Sequence, residues 1–496
     1  MRLIIAARRS ELARIQAYQV GDALAALPNI SVEYSFHESL GDRNQTDPLW
    51  QMPEKGVFTS DLREGLLNGQ FDLAVHSWKD LEIEENADTV VTATLPRADM
   101  RDVLLVRSDR WLDVERTGFL RILTSSPRRS HNLEPFLMEV LPARLSTLQF
   151  IPVRGNVSTR VRKLSLLDVD GLVIAKAALD RLLATEKEEF AGTVADLRRI
   201  LATCRWMVLP LRANPTAPGQ GALAIEVKRT REDLRNLLAT INCTETYQTV
   251  AREREILRAF GGGCHQKIGV SVLRRPYGEI TFLRGLAEDG SVLKADSLSP
   301  SRPMPGRVLL EQMWPQHTSE ANWFERAEIP VTIPKTASAL WISKADALPS
   351  DAQVSPVQII WASGLQTWRQ LAKRGVWVNG CAESLGEQED PKIETLAGAR
   401  TNWLKLTHAD GFSENGMKTL ATYRLISKNS SPQFKGKTHF FWTSGSGFER
   451  ALALNPWLKE MTHFCGPGNT QRILERNGVQ PFICLDHSQW LEELAR

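Results

Sequence analysis

Short apolar runs alternate with amphipathic stretches along most of this chain. Residues 2–6 (RLIIA) are apolar and partly β-branched; a polar turn at Arg8, Arg9 and Ser10 follows, then apolar positions at Leu12, Ile15, Ala17 and Val20. That pattern predicts strand, loop and helix. The same order recurs at residues 71–76, 103–106, 120–123 and 170–175, each run leading into a polar loop or a helix. Strands alternating with helices predict an α/β architecture with parallel pairing. In such folds, ligands bind beyond the carboxyl ends of the strands. The residues at those ends are mostly basic or hydroxylated.

The pattern changes after residue 250. A helical segment at 252–260 meets Gly261, Gly262, Gly263 and Cys264, and strand-like alternation then surrounds turns at 276–278 and 288–290. This predicts a small α+β domain. Prolines at 300, 303, 305, 315, 330 and 334 mark the best linker candidate. Tryptophan usage shifts there too: four of 14 precede residue 300 and ten follow residue 313, so a separate C-terminal unit begins beyond it. In that unit, residues 357–362, 375–378, 438–442 and 461–464 read as strands between helices, again α/β.

Length and composition set bounds. A chain of 496 residues holds about three or four domains. A net charge of +3 excludes a polybasic nucleic-acid binder. No apolar run approaches a membrane span, and five apolar residues near the start are too few for a signal-peptide core, which points to a cytoplasmic protein. The six cysteines form no CxxC pair or Cys/His cluster, so neither a metal site nor a disulfide framework is expected.

Three constellations carry chemistry. Arg8, Arg128, Arg129, Arg154, Arg160 and Arg181 fall at or near strand ends. A solvated surface position is the commoner reading of any one of them, but planar guanidinium forks converging on one place suit a polycarboxylate or phosphate. Ser77, Lys79 and Asp80 follow a buried strand directly. Asp80 there is either a local cap or a carboxylate that steadies developing positive charge. Cys264, after three glycines, is either a small buried hydrophobe or a nucleophilic thiol open to close approach. The loop 216–222 (TAPGQGA) is either a domain crossing or a binding loop.

An ordered set of segments resembles the porphobilinogen deaminase (hydroxymethylbilane synthase) family over about residues 1–310. The segments are ARRSELARIQA (7–17), KGVFTSDL (55–62), FDLAVHSWKDL (71–81), RDVLL (101–105), SSPRRS (125–130), VRGNVSTRVRKL (153–164), DGLVIAKAALDRL (170–182), PGQGALAIE (218–226) and EREILRAFGGGC (253–264). The resemblance implies two periplasmic-binding-protein-like α/β domains, 1–96 plus about 220–238 and 97–219, and a small α+β domain at 239–310 bearing the cysteine. A linker at 311–336 then leads to a C-terminal α/β unit at 337–496. It further implies a dipyrromethane cofactor thioether-linked to Cys264, with Arg128, Arg129, Lys79 and Ser77 contacting it. Arg8, Ser10, Arg154, Arg160 and Arg181 would bind substrate, and Asp80 would be catalytic. Four porphobilinogen units would be joined with loss of ammonia, by a deaminase part that is monomeric and has no metal, nucleic-acid or membrane partner. The chain departs from the family pattern at His265, at Lys267 where proline is usual, and at Ser60 where lysine is common.

Residues 337–496 resemble uroporphyrinogen-III synthase. The matching segments are WASGLQTWRQL and VWVNGCAESLG (within 361–386), HFFWTSGSGFERAL (439–452), HFCGPGNTQRILERNGV (463–479) and ATYRL (421–425). The resemblance implies a second site at Tyr423, Thr443, Ser444 and Thr470. The segment is short for two full lobes, so a structural, inactive domain is the alternative. A non-enzymatic anion-binding module is the alternative for the deaminase part.

Overall fold

The computed structural model describes residues 1–38, 59–261, 266–428 and 433–495. Cys264 and His265 lie outside the described residues. The first sheet has the strand order Ser31–His37, Arg2–Arg8, Leu73–Ser77, Leu223–Lys228 and Thr89–Ala93. The second has the order Thr147–Ile151, Phe119–Leu123, Gly171–Ala175, Asp102–Arg107 and Cys204–Leu209. Strands such as Leu73–Ser77 and Gly171–Ala175 are buried almost throughout, which is why they read as continuous apolar runs.

Pairing is mixed rather than purely parallel. Leu223–Lys228 runs antiparallel to both neighbours, and so does Asp102–Arg107. These two strands lie where the chain passes between the sheets. A strand reached from another domain has no local crossover helix to force it parallel. The GQGA loop therefore leads back into the first sheet, at Leu223.

Helix Thr244–Arg258 packs on a three-stranded antiparallel sheet, Gly269–Arg275, Gly278–Leu286 and Val292–Pro300. The region expected as a linker is instead structured. Met313–Trp314 pairs parallel with His439–Trp442, and Phe324–Glu328 pairs antiparallel with Lys418–Ser427. The prolines interrupt the segment, but the apolar anchors between them hold it. Trp314 and Trp323 are buried, stacked 5.3 Å apart, against Phe434 and Trp442.

The C-terminal unit is thus two lobes, and the chain visits one, builds the other, and returns. The smaller sheet is Met313–Trp314, His439–Trp442, Thr462–Cys465 and Phe482–Ile483. The larger has the order Phe324–Glu328, Lys418–Ser427, Trp403–His408, Ala339–Ile342, Ile359–Ala362 and Gly380–Cys381. Residues 375–378, expected as a strand, precede that last short strand instead.

This unit does not stand apart. Val106, Trp111 and Leu137 of the second domain share one apolar core with Leu340, Trp368 and Leu406. Trp111 meets Trp377 edge-on at 5.0 Å, and Phe136 meets Trp368 at 5.6 Å. Among the described residues, no helix is long and apolar enough to cross a membrane.

Candidate active site

A cleft of about 1110 Å³ lies between the first two domains. Its walls are strand ends and the helix starts that follow them, the position expected for α/β sheets. Arg8 closes the first strand, and Ser10 is the N-cap residue of helix Glu11–Ala25. Ser77 ends strand Leu73–Ser77, and Lys79 and Asp80 belong to the single turn Trp78–Asp80. Buried Trp78, edge-on to Tyr247 at 5.3 Å, fixes that turn from beneath.

The opposite wall comes from the second domain. Ser126 caps helix Pro127–Val140, and Asn156 caps helix Val157–Leu166 by accepting from Thr159 N at 2.8 Å. These caps place Arg129 and Arg160 at the cleft, with Arg154 on the intervening loop. Gly155, at φ +110°, turns the loop so that its carbonyl accepts from Arg160 Nε at 2.8 Å. Arg181, on helix Lys176–Ala184, donates to Gln19 Oε1 at 3.1 Å and to the Gly221 carbonyl at 2.9 Å.

Basic side chains dominate the lining: Arg8, Arg9, Lys79, Arg129, Arg154, Arg160 and Arg181 face two carboxylates, Asp80 and Glu38. Crowded, partly desolvated cations raise one another's cost of charging. Burial pushes the Lys79 ammonium down to about 8, against the pull of Asp80, with Arg129 and Arg128 adding to the shift. Burial also brings Arg160 down to about 10, helped by Arg129 and Arg154, and brings Arg181 to about 10. Bound carboxylates would relieve that repulsion.

The sequence-expected residues Arg8, Ser10, Ser77, Lys79, Asp80, Arg129, Arg154, Arg160 and Arg181 all line this cleft. Arg128 does not. Its guanidinium donates to Asn214 Oδ1 at 2.9 Å, the Pro215 carbonyl at 2.6 Å and Asp102 Oδ2 at 2.9 Å. Of the departures from the family pattern, Ser60 begins helix Ser60–Leu67, and Lys267 approaches Gly285 through its carbonyl.

Three residues not singled out from sequence organise the site. Asp102, fully buried, accepts from Arg128, Arg129, Asn214 and Gln220. Burial opposes its charge, but the two guanidiniums win and hold it far below the usual carboxylate range. Gln220 passes this contact onward, since its Oε1 accepts from Lys79 Nζ at 3.2 Å. Glu253, also fully buried, pairs with Arg97 through both oxygens at 2.9 and 2.8 Å and accepts from Gly219 N and Val272 N. It ties the cysteine-bearing domain to the Gly-rich loop.

A second cleft opens in the C-terminal unit. Thr318, Asn322, Arg326, Gln366 and Thr443 line a cavity of about 590 Å³, and Ser343, Lys344, Ser363 and Ser384 extend it. Thr443 is the one sequence-expected residue in this lining. Tyr423 is buried behind it, with the Arg326 guanidinium 5.7 Å from its ring centre. Ser444 instead caps helix Gly445–Leu454, accepting from Gly447 N at 3.2 Å. Thr470 lies in the first turn of helix Asn469–Arg476.

Two α/β domains thus meet at a cation-rich cleft whose lining also holds the carboxylates Asp80 and Glu38. The family model "Porphobilinogen deaminase, dipyromethane cofactor binding domain" matches residues 3–236. A porphobilinogen deaminase of Clostridium novyi is 31% identical over 300 residues, 60% of this chain and 92% of that protein. One of Bordetella parapertussis is 35% identical over 303 residues, covering 60% and 88% respectively. Among solved structures, a uroporphyrinogen-III synthetase of Helicobacter pylori shows 17% identity at a TM-score of 0.25, covering 34% of this chain and 88% of its own. The chain belongs to the porphobilinogen deaminase family.

Proposed function

We propose that the first cleft assembles hydroxymethylbilane from four porphobilinogen units, on a dipyrromethane carried by Cys264. The observation that carries this reading is the convergence of Asp80 with the arginine cluster in one interdomain cleft. The donor set suits the cofactor. Pyrrole acetates and propionates are carboxylates, and the lining offers guanidiniums, an ammonium and hydroxyls within one cavity. Arg129, Lys79 and Ser77 would hold the cofactor. Arg8, Ser10, Arg154, Arg160 and Arg181 would hold incoming substrate. Arg128 would act from behind, bracing Asp102. Removing one member of a buried ion pair costs about 3–5 kcal/mol, so that brace fixes Arg129 firmly.

When bound, the cofactor supplies the free pyrrole α-carbon to which the first unit is joined. Each joining would replace an α-carbon–hydrogen bond and an aminomethyl carbon–nitrogen bond with one carbon–carbon bond, the proton and the amine leaving together as ammonia; water would then cleave the four-unit chain away as hydroxymethylbilane. Loss of ammonia leaves positive charge on the substrate's methylene and pyrrole. Asp80 stands at the cleft where its carboxylate accepts pyrrole N–H groups and offsets that charge. The arginines cannot do this, because they would repel the cation they surround. Asp80→Asn keeps the shape and removes the charge. Porphobilinogen consumption is expected to fall at least 100-fold with the fold retained, as measured by steady-state rate and circular dichroism. Near-normal turnover overturns the assignment.

For the C-terminal unit, the reading is ring closure of the same product, the uroporphyrinogen-III synthase reaction. Its support is the second cleft, where Arg326, paired with Asp346, faces one cavity together with Lys344 and several hydroxyls. The full chain fed porphobilinogen is then expected to yield the type III isomer, and Arg326→Ala to shift it to type I. Type I product from the unaltered chain would make the unit structural.

A further inference from the structure

Residues 210–222 carry the chain from the second sheet back to the first. They include Gln220, which touches Lys79 in the deaminase cleft. Most anchors of this path come from the deaminase half. Asp102 accepts from Asn214, Ser271 accepts from Thr216 N at 2.9 Å, and Glu253 accepts from Gly219 N at 2.8 Å. The first anchor does not. Leu211 N and Arg212 N donate to Glu383 Oε1 and Oε2 at 2.9 and 2.7 Å, and Glu383 belongs to the C-terminal unit.

Glu383 is held for this contact. It is only 6% exposed, although it is a carboxylate. Its backbone is left-handed at φ +54°, as is that of Ser384 at φ +64°. Consecutive non-glycine residues in that region are strained and persist only where their surroundings fix them. Here Ala382 N and Ser384 N donate to the carbonyls of Ala362 and Ser363 at 3.0 and 2.9 Å. The neighbouring strand is gripped as well, since Val208 N donates to the Asn379 carbonyl at 2.7 Å. Burial raises the Glu383 carboxyl, and the two backbone N–H donors oppose that shift; bonds from two successive amides to its two oxygens set the path of the chain.

We propose that Glu383 is a positioning residue for the deaminase site. From the C-terminal unit it fixes the start of the return path, and through that path the placement of Gln220 and Lys79. It touches neither substrate nor cofactor. The inference rests on the deaminase reading of the first cleft. It makes the C-terminal unit part of the deaminase machinery, whatever reaction that unit performs itself.

The test uses the full chain with Glu383→Gln, which keeps size but turns one acceptor into a donor facing a backbone N–H. Porphobilinogen consumption is expected to lose about tenfold in kcat with KM within twofold, because small misplacements near reacting groups are costly. Amide exchange at Leu211 and Arg212 is expected to speed up while strand Gly171–Ala175 keeps its protection. Glu383→Asp retains the charge on a shorter arm and should fall between. If Glu383→Gln does not fold, Glu383→Asp carries the test, with a smaller loss of kcat, KM within twofold and faster exchange at Leu211 and Arg212. Wild-type kcat and KM in a folded variant overturn the proposal, and so does a loss confined to KM. An unaltered chain that consumes no porphobilinogen removes the deaminase reading, and this inference with it.

Discussion

Lys79 is the side chain whose surroundings speak most directly to pH. Burial lowers it to about 8, and the nearby arginines oppose its charge. If its ammonium holds carboxylates, binding weakens as that proton is lost. The plot of kcat/KM should therefore fall as pH rises through about 8, the value for the free enzyme. Lys79→Arg keeps its charge far above that range and should lose this alkaline limb. An unchanged limb in the variant excludes Lys79 as its source. Lys79 and most of the arginines were legible in sequence, because basic residues cluster after apolar runs. Asp102 was not. It sits in an apolar strand, and its partners at 128, 129, 214 and 220 are far away along the chain. For the same reason Arg128 could not be told from Arg129 until the fold brought both to Asp102, held Arg128 also on Asn214 and Pro215, and left only Arg129 lining the cleft.

At the scale of elements, apolar runs located the strands but not their direction. Nothing within residues 223–228 distinguishes a parallel strand from an antiparallel one; only their pairing with Leu73–Ser77 and Thr89–Ala93 does. The stretch at 311–336 shows a second limit. Its prolines are genuine breaks, yet Trp314 and Trp323 between them are core residues, and burying such large rings outweighs the interruptions. Pro-rich composition predicted a linker at 311–336, and the segment instead contributes a strand to each sheet of the C-terminal unit. At Gly221, by contrast, the glycine-rich loop was legible. Its φ of +87° and its approach to the Ala98 carbonyl leave no room for a side chain, so the crossing needs glycine there.

Across the whole molecule, the C-terminal unit is fastened to the deaminase half rather than tethered to it. Beyond the shared apolar core, Arg101 donates to the Pro391 carbonyl at 2.7 Å, Arg275 pairs with Glu389 at 2.5 and 2.6 Å, and Arg198 donates to the Thr395 carbonyl at 2.6 Å. These contacts fall on the first crossing segment, on helix Ala191–Leu201 of the second domain and on the cysteine-bearing domain. They offer each cleft a fixed frame, and they explain why one sequence segment, read alone, does not reveal the role of the other. On the proposed function, residues 1–310 work on a dipyrromethane linked to Cys264. Intact mass of the purified chain beside Cys264→Ser is the first test. An excess of two linked pyrrole units is expected in the unaltered protein and none in the variant. An unaltered protein without that excess, even after incubation with porphobilinogen, would contradict that reading.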